Sequence, residues 1–75
     1  MKEMQIKLTN ISDIREFVNV VMLQEFEVDL VQGRYVIDAK SIMGIFALDL
    51  MSPITVKAYT DYSKDFFEAI AKFSV

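Results

Sequence analysis

The chain has 75 residues, 53% of them hydrophobic, a net charge of -3, and neither cysteine nor histidine. A domain this small buries only about 60% of the surface its unfolded chain exposes, so apolar packing must hold it without disulfide or zinc. The residue set excludes a thiol nucleophile, an imidazole base, a phosphohistidine and a His/Cys metal site, and the absence of any Lys/Arg cluster excludes the basic footprint of nucleic-acid binding.

The elements follow in chain order. Met4, Ile6 and Leu8 alternate with Gln5 and Lys7, which predicts a half-buried strand. "TNISD" supplies turn and cap chemistry: Asn10 or Ser12 can cap a helix, and Asp13 suits its first turn. Ile14, Phe17, Val18 and Val21 then follow helical spacing, giving a helix over about 12–23 with Arg15, Glu16 and Asn19 on its polar side. Phe26, Val28 and Leu30 alternate with Glu27 and Asp29 as a second strand. "QGR" at 32–34 is a tight turn in which Gly33 takes positive φ, and "RYVID" is the returning strand. Residues 41–48 read as a short helix capped by Ser41, with Ile45 and Leu48 facing inward. Ile54, Val56 and Ala58 mark a fourth strand, and a last helix begins near Ser63 with Phe66, Phe67, Ile70 and Phe73.

The order is β-α-β-β-α-β-α, one α+β domain over 1–75 with no linker or repeat. Helices covering one face of a four-stranded antiparallel sheet make an open-faced sandwich. No apolar run reaches the roughly 18–20 residues of a membrane span, and "MKEMQIKL" alternates too regularly for a signal peptide, so the expected location is the cytoplasm. With Gly33 and Gly44 the only glycines, neither a GxGxxG motif nor a P-loop exists, and no cofactor is expected.

"AKSIMGIFAL", residues 39–48, resembles the regulatory-serine segment of HPr, the phosphocarrier family of the bacterial sugar phosphotransferase system. Lys40-Ser41-Ile42-Met43-Gly44 matches the form common in Gram-positive bacteria, and the order of flanking elements is also that of the family. The resemblance implies the HPr-like fold over most of the chain. It implies regulatory phosphorylation at Ser41 by a serine kinase, and a partner-binding surface of Lys40, Ile42, Met43 and Phe46. The implied partners are proteins of the phosphotransferase system or a transcription regulator.

The family's relay departs at "NISDIREF", 10–17, where a histidine followed by a small residue, Arg and Pro is expected. Here there is no His and no Pro, the segment is shorter, and Asp13 sets a negative charge where a phosphate would sit. Arg15 is expected on the solvent side, without the family arginine's role. The expectation is therefore a regulatory or adaptor protein, with no catalytic residue, rather than a phosphohistidine carrier. The alternative is a structural module that self-associates as a homodimer, with Ser41 only a cap.

Other residues weigh less. A free-standing enzyme lacks a nucleophile–base pair. Tyr35, Tyr59 and Tyr62 suit strand edges and helix starts more than a ligand surface. Glu25, Glu27 and Asp29 make a solvated strand face rather than a calcium loop. "FFEAIAKF" lacks the cationic face of a membrane-surface helix. Within the short helix, Ile42, Ile45 and Phe46 are expected to share one side, with Met43 turned elsewhere.

Overall fold

The structure, a computed structural model, describes residues 2–75. Four strands, β1 (Lys2–Ile6), β2 (Val28–Gln32), β3 (Tyr35–Asp38) and β4 (Ile54–Ala58), form one antiparallel sheet in the order β1-β4-β2-β3. Helices α1 (Ile11–Met22), α2 (Ile42–Phe46) and α3 (Lys64–Ile70), the last followed by a 3-10 turn at Ala71–Phe73, complete the chain. This is the expected α+β arrangement.

Alternation places the sheet's inward residues. Ile6, Val28, Leu30, Ile54, Val56 and Ala58 are all buried, and the register sets Ile6 opposite Ile54 and Leu30 opposite Val56. Onto that face α1 lowers Ile14, Phe17 and Val21, spaced at three and four residues so that they line one side of the helix. Phe66 and Ile70 arrive from α3 and Phe73 from the turn beyond it; Phe73 meets Phe17 edge-on at 6.3 Å between ring centres. Burial of this contiguous cluster supplies most of the stability of a chain without cross-links.

β2 and β3 are joined by Gly33 and Arg34. Gly33 has φ of 58°, and no non-glycine residue among those described has positive φ. A positive first and negative second central residue is the primed turn with glycine leading, whose twist matches a hairpin.

Two expectations shift. β1 ends at Ile6 rather than Leu8, because its partner β4 begins at Ile54, the residue paired with Ile6; Leu8 is buried all the same. β2 starts at Val28, and Phe26 lies just before it, its ring edge-on to Phe66 at 5.6 Å.

Candidate functional site

The site begins at the end of β3. Lys40 N–H donates to Asp38 Oδ1 at 2.9 Å and Ser41 N–H donates to the Asp38 carbonyl at 2.9 Å, a tight reversal that sets Ser41 at the head of α2. Ser41 is extended there, with φ -91° and ψ 95°, and its Oγ accepts from Gly44 N–H at 3.1 Å. It is the N-cap the sequence predicts, and it is exposed, as is Lys40. The Asp38 carboxylate, folded onto the Lys40 amide, lies beside it.

Gly44 explains how α2 sits so close to the sheet. A Cβ added there would meet Ser41 Oγ at 3.1 Å and Ile37 Cδ1 at 3.3 Å. A side chain would therefore press both on the cap and on β3, and glycine lets the helix backbone approach.

That placement fixes the rest of the helix. At about 100° per residue, positions 41, 44, 45 and 48 fall on one arc and 42, 43 and 46 on the opposite one. Ile45 is fully buried and Leu48 nearly so, while Ile42, Met43 and Phe46 are 36%, 77% and 46% exposed. The expected grouping of Ile42 and Phe46 with Ile45 is thus corrected. Ile45 belongs to the core, and Ile42, Phe46 and Met43 together face solvent.

A feature not predicted from the sequence anchors the exit of this helix. The Gln32 amide reaches from the end of β2 to the segment after α2, where its Nε2 donates to the Asp49 carbonyl at 2.7 Å and its Oε1 accepts from Asp49 N–H at 2.8 Å. The Asp49 carboxylate in turn accepts from Met51 N–H at 3.0 Å and Ser52 Oγ at 2.9 Å. The loop that presents Met51 to solvent is fixed at both ends. Gln32 reads from sequence only as a turn residue, because its partner is distant along the chain.

The start of α1 is closed upon itself. Asn10 Oδ1 accepts from Asp13 N–H at 2.8 Å, which settles the cap in favour of Asn10 over Ser12. Asp13 Oδ2 reaches back to accept from Thr9 N–H at 3.2 Å and Thr9 Oγ1 at 2.9 Å. This is a variant of the capping box in which the carboxylate reaches one residue past the N-cap, to Thr9, and supplies from the chain itself the anion that a helix N-terminus favours. Arg15 is exposed.

On the uncovered face of the sheet, Tyr59 follows β4 and its pKa is raised above the ordinary 10.0. Hydrogen bonding toward the Asp29 carboxylate is the main cause, and partial desolvation and the charges of Asp29 and Glu3 add to it.

No protein-family model matches the sequence, and no curated protein matches it. Solved structures do. The crystal structure of HPr-C-His from Thermoanaerobacter tengcongensis matches with a TM-score of 0.80 at 23% identity, over 96% of this chain and 89% of that one. The phosphocarrier protein HPr from Bacillus anthracis str. Ames matches with a TM-score of 0.72 at 25% identity, over 99% of this chain and 94% of that one. The chain is HPr-like, with the four-stranded antiparallel sheet and three helices of that fold.

Proposed function

We propose that this HPr-like chain is a regulatory or adaptor protein of the phosphotransferase family, docking a protein partner on the outer face of α2. It does not carry a phosphoryl group on imidazole, since the sequence holds no histidine. The observation that carries the reading is the arc of Ile42, Met43 and Phe46. Three large apolar side chains of a five-residue helix face water together. Such contiguous apolar surface marks contact sites. Lys40, beside the arc, supplies a cation for the rim of the contact.

Ser41 is the control point of this surface. A phosphate there adds about -1.5 to -2 charges at the edge of an apolar contact, where desolvating it on docking is costly. Asp38 adds to that repulsion. The partners fitting this chemistry are cytoplasmic proteins of the phosphotransferase system or a transcription regulator, with a serine kinase writing the signal; nucleic acid and membrane are not among them. The chain acts by binding, not as an enzyme.

Treatment with ATP and the serine kinase of the family tests both parts. The expected result is one added phosphate by mass, absent in Ser41→Ala, with a rate at least about tenfold lower in a Met43→Lys/Phe46→Lys variant, as loss of a docking contact requires. No phosphate under conditions that modify ordinary HPr removes the switch, and an unchanged rate in the double variant removes the docking face.

A second reading has its own support. α2 contains no charged residue, so two copies meet helix to helix without like-charge repulsion. Sedimentation decides it: a dimer abolished by the double lysine variant supports a self-association module, and a monomer throughout excludes one.

A further inference from the structure

The two edges of the sheet are not alike. β1 forms one, and both ends of the described chain lie there, with Val75 N–H donating to the Gln5 carbonyl at 3.1 Å. β3 forms the other, from the middle of the sequence. Its ladder to β2 sets Leu30 opposite Ile37 and Val31 opposite Val36, and Ala39 N–H donates to the Val28 carbonyl at 2.9 Å. Alternate residues of an antiparallel strand turn their backbone groups to the same side. Tyr35, Ile37 and Ala39 therefore bond inward to β2, and Val36 and Asp38 turn theirs outward. The Asp38 carbonyl is taken by Ser41 N–H. Among the described residues, Val36 N–H, Val36 C=O and Asp38 N–H have no partner.

An edge strand is kept apart from others by a central charge, a proline or a bulge. β3 has none of these: Tyr35 and Val36 are each 62% exposed, and the charges stand only at the ends, on Arg34 and Asp38. Those charges are unbalanced within the chain. On the uncovered face one row crosses the sheet as Asp38, Asp29, Lys57 and Glu3. Lys57 serves both Asp29, which it faces, and Glu3, at 3.8 Å, so one ammonium meets three carboxylates. Asp38 stands directly opposite Asp29, and like charges in that position are destabilising. Lys40 bonds to the Asp38 carboxylate through its amide, at 2.9 Å, and among the described residues neither Asp38 nor exposed Arg34 makes an ion pair.

We infer that β3 docks a second copy of this chain, β3 to β3 and antiparallel, about a two-fold axis at Val36, so that two four-stranded sheets become one. The segment Arg34-Tyr35-Val36-Ile37-Asp38 is its own complement in that register. Val36 meets Val36 of the second copy, Tyr35 meets Ile37, and Arg34 meets Asp38, the last two pairs each occurring twice by symmetry. Val36 N–H donates to the second copy's Val36 carbonyl and Asp38 N–H to its Arg34 carbonyl, so every open backbone group of the edge is used. Each Arg34 guanidinium supplies the cation that the Asp38–Asp29 pair of the other copy lacks. Sliding the copies by two residues in either direction keeps the backbone pattern but breaks both Arg34–Asp38 pairs. The contact uses main-chain groups of β3 and is distinct from a helix-to-helix meeting of α2.

Sedimentation equilibrium of the full chain, with amide hydrogen exchange read by NMR, tests the inference. A concentration-dependent dimer is expected, with protection of the Val36 and Asp38 amides rising as the dimer fraction rises. Arg34→Glu and Asp38→Lys are each expected to weaken the dimer at least about tenfold, because each sets like charges together at both ends of the contact. An equimolar mixture of the two variants is expected to regain it, since opposite charges then meet at both ends. Val36→Lys, at an exposed position, sets two ammonium groups together on the axis and is expected to give a folded monomer by circular dichroism and sedimentation. Met43→Lys/Phe46→Lys is expected to leave the dimer intact. A monomer at every concentration up to about 1 mM overturns the inference. So does a dimer without protection at Val36 and Asp38, one that Val36→Lys or Arg34→Glu leaves unchanged, a mixture that associates no better than either variant alone, or a dimer lost in Met43→Lys/Phe46→Lys.

Discussion

Ser41 has two properties that a pair of substitutions separates: it accepts a hydrogen bond from Gly44 N–H, and it offers a hydroxyl for modification. Ser41→Ala removes both. Loss of an N-cap acceptor costs about 0.5–2 kcal/mol. The bond here is exposed and 3.1 Å long, and α2 is further held by buried Ile45 and Leu48, so the lower half of that range applies, about 0.5–1 kcal/mol. In a domain of this size 1 kcal/mol moves Tm by about 4–8 °C, so a fall of about 2–8 °C is expected. Ser41→Asp keeps a side-chain acceptor, and aspartate caps as well as serine. Its charge faces Asp38 across a solvated turn, a repulsion of about a few tenths of a kcal/mol. The predicted order of stability is the parent, then Ser41→Asp closely behind, then Ser41→Ala. Thermal melts by circular dichroism, with urea titrations to confirm an unchanged m-value, read this order directly. A Ser41→Ala protein melting within 1 °C (about the error of such a melt) of the parent would refute the capping argument. A Ser41→Asp protein as weak as Ser41→Ala would show that the Asp38 charge, not the acceptor, governs this turn.

Other perturbations test other links. Gly33→Ala meets no atom within 4 Å of the new Cβ, so its cost is purely conformational, about 1–2 kcal/mol by chemical denaturation, and D-Ala introduced by synthesis at the same place restores the loss. Ile45→Ala empties a fully buried site and is expected to cost about 2–5 kcal/mol, whereas Met43→Ala, two residues away in solvent, stays within about 0.5 kcal/mol. Gln32→Leu leaves the backbone N–H and carbonyl of Asp49 without the Gln32 amide, and hydrogen exchange should show faster opening over 49–53 with the strands unchanged. Because folding raises the pKa of Tyr59, its contribution to stability is complete below pH 10.0 and fades as pH climbs through the folded value; an ultraviolet titration should place Tyr59 above 10.0, and Asp29→Asn should bring it down. Phosphoenolpyruvate and enzyme I of the phosphotransferase system are expected to leave the chain unlabelled; stable label would show that residues 10–17 accept a phosphoryl group without histidine.

Much of this architecture is legible in the sequence because period-two and helical spacing alternate cleanly. Ile54, Val56 and Ala58 could only be a strand with one dry face, and Ile14, Phe17 and Val21 only one side of a helix. The Ser41 cap and the Gly33 turn were legible for a related reason, since each depends on a single residue's local chemistry. The orientation of α2 was not. A five-residue helix has too few positions for a periodicity to emerge, and its rotation is set by Gly44 resting against Ile37, a contact with another element. The Gln32 clamp escaped for the same reason, as its partner Asp49 lies seventeen positions away. Where β1 ends depended on where β4 begins, at Ile54, in a distant part of the chain.

The knot of Thr9, Asn10 and Asp13 at the head of α1 has a consequence for anion binding. A helix tip that borrows its anion from solution reports whether that anion is present. One that carries its own carboxylate, held by two bonds from Thr9 beside the Asn10 cap, has its place filled from within the chain. An anion approaching this end of the molecule meets that carboxylate first, so the head of α1 is a poor place for a phosphate to bind.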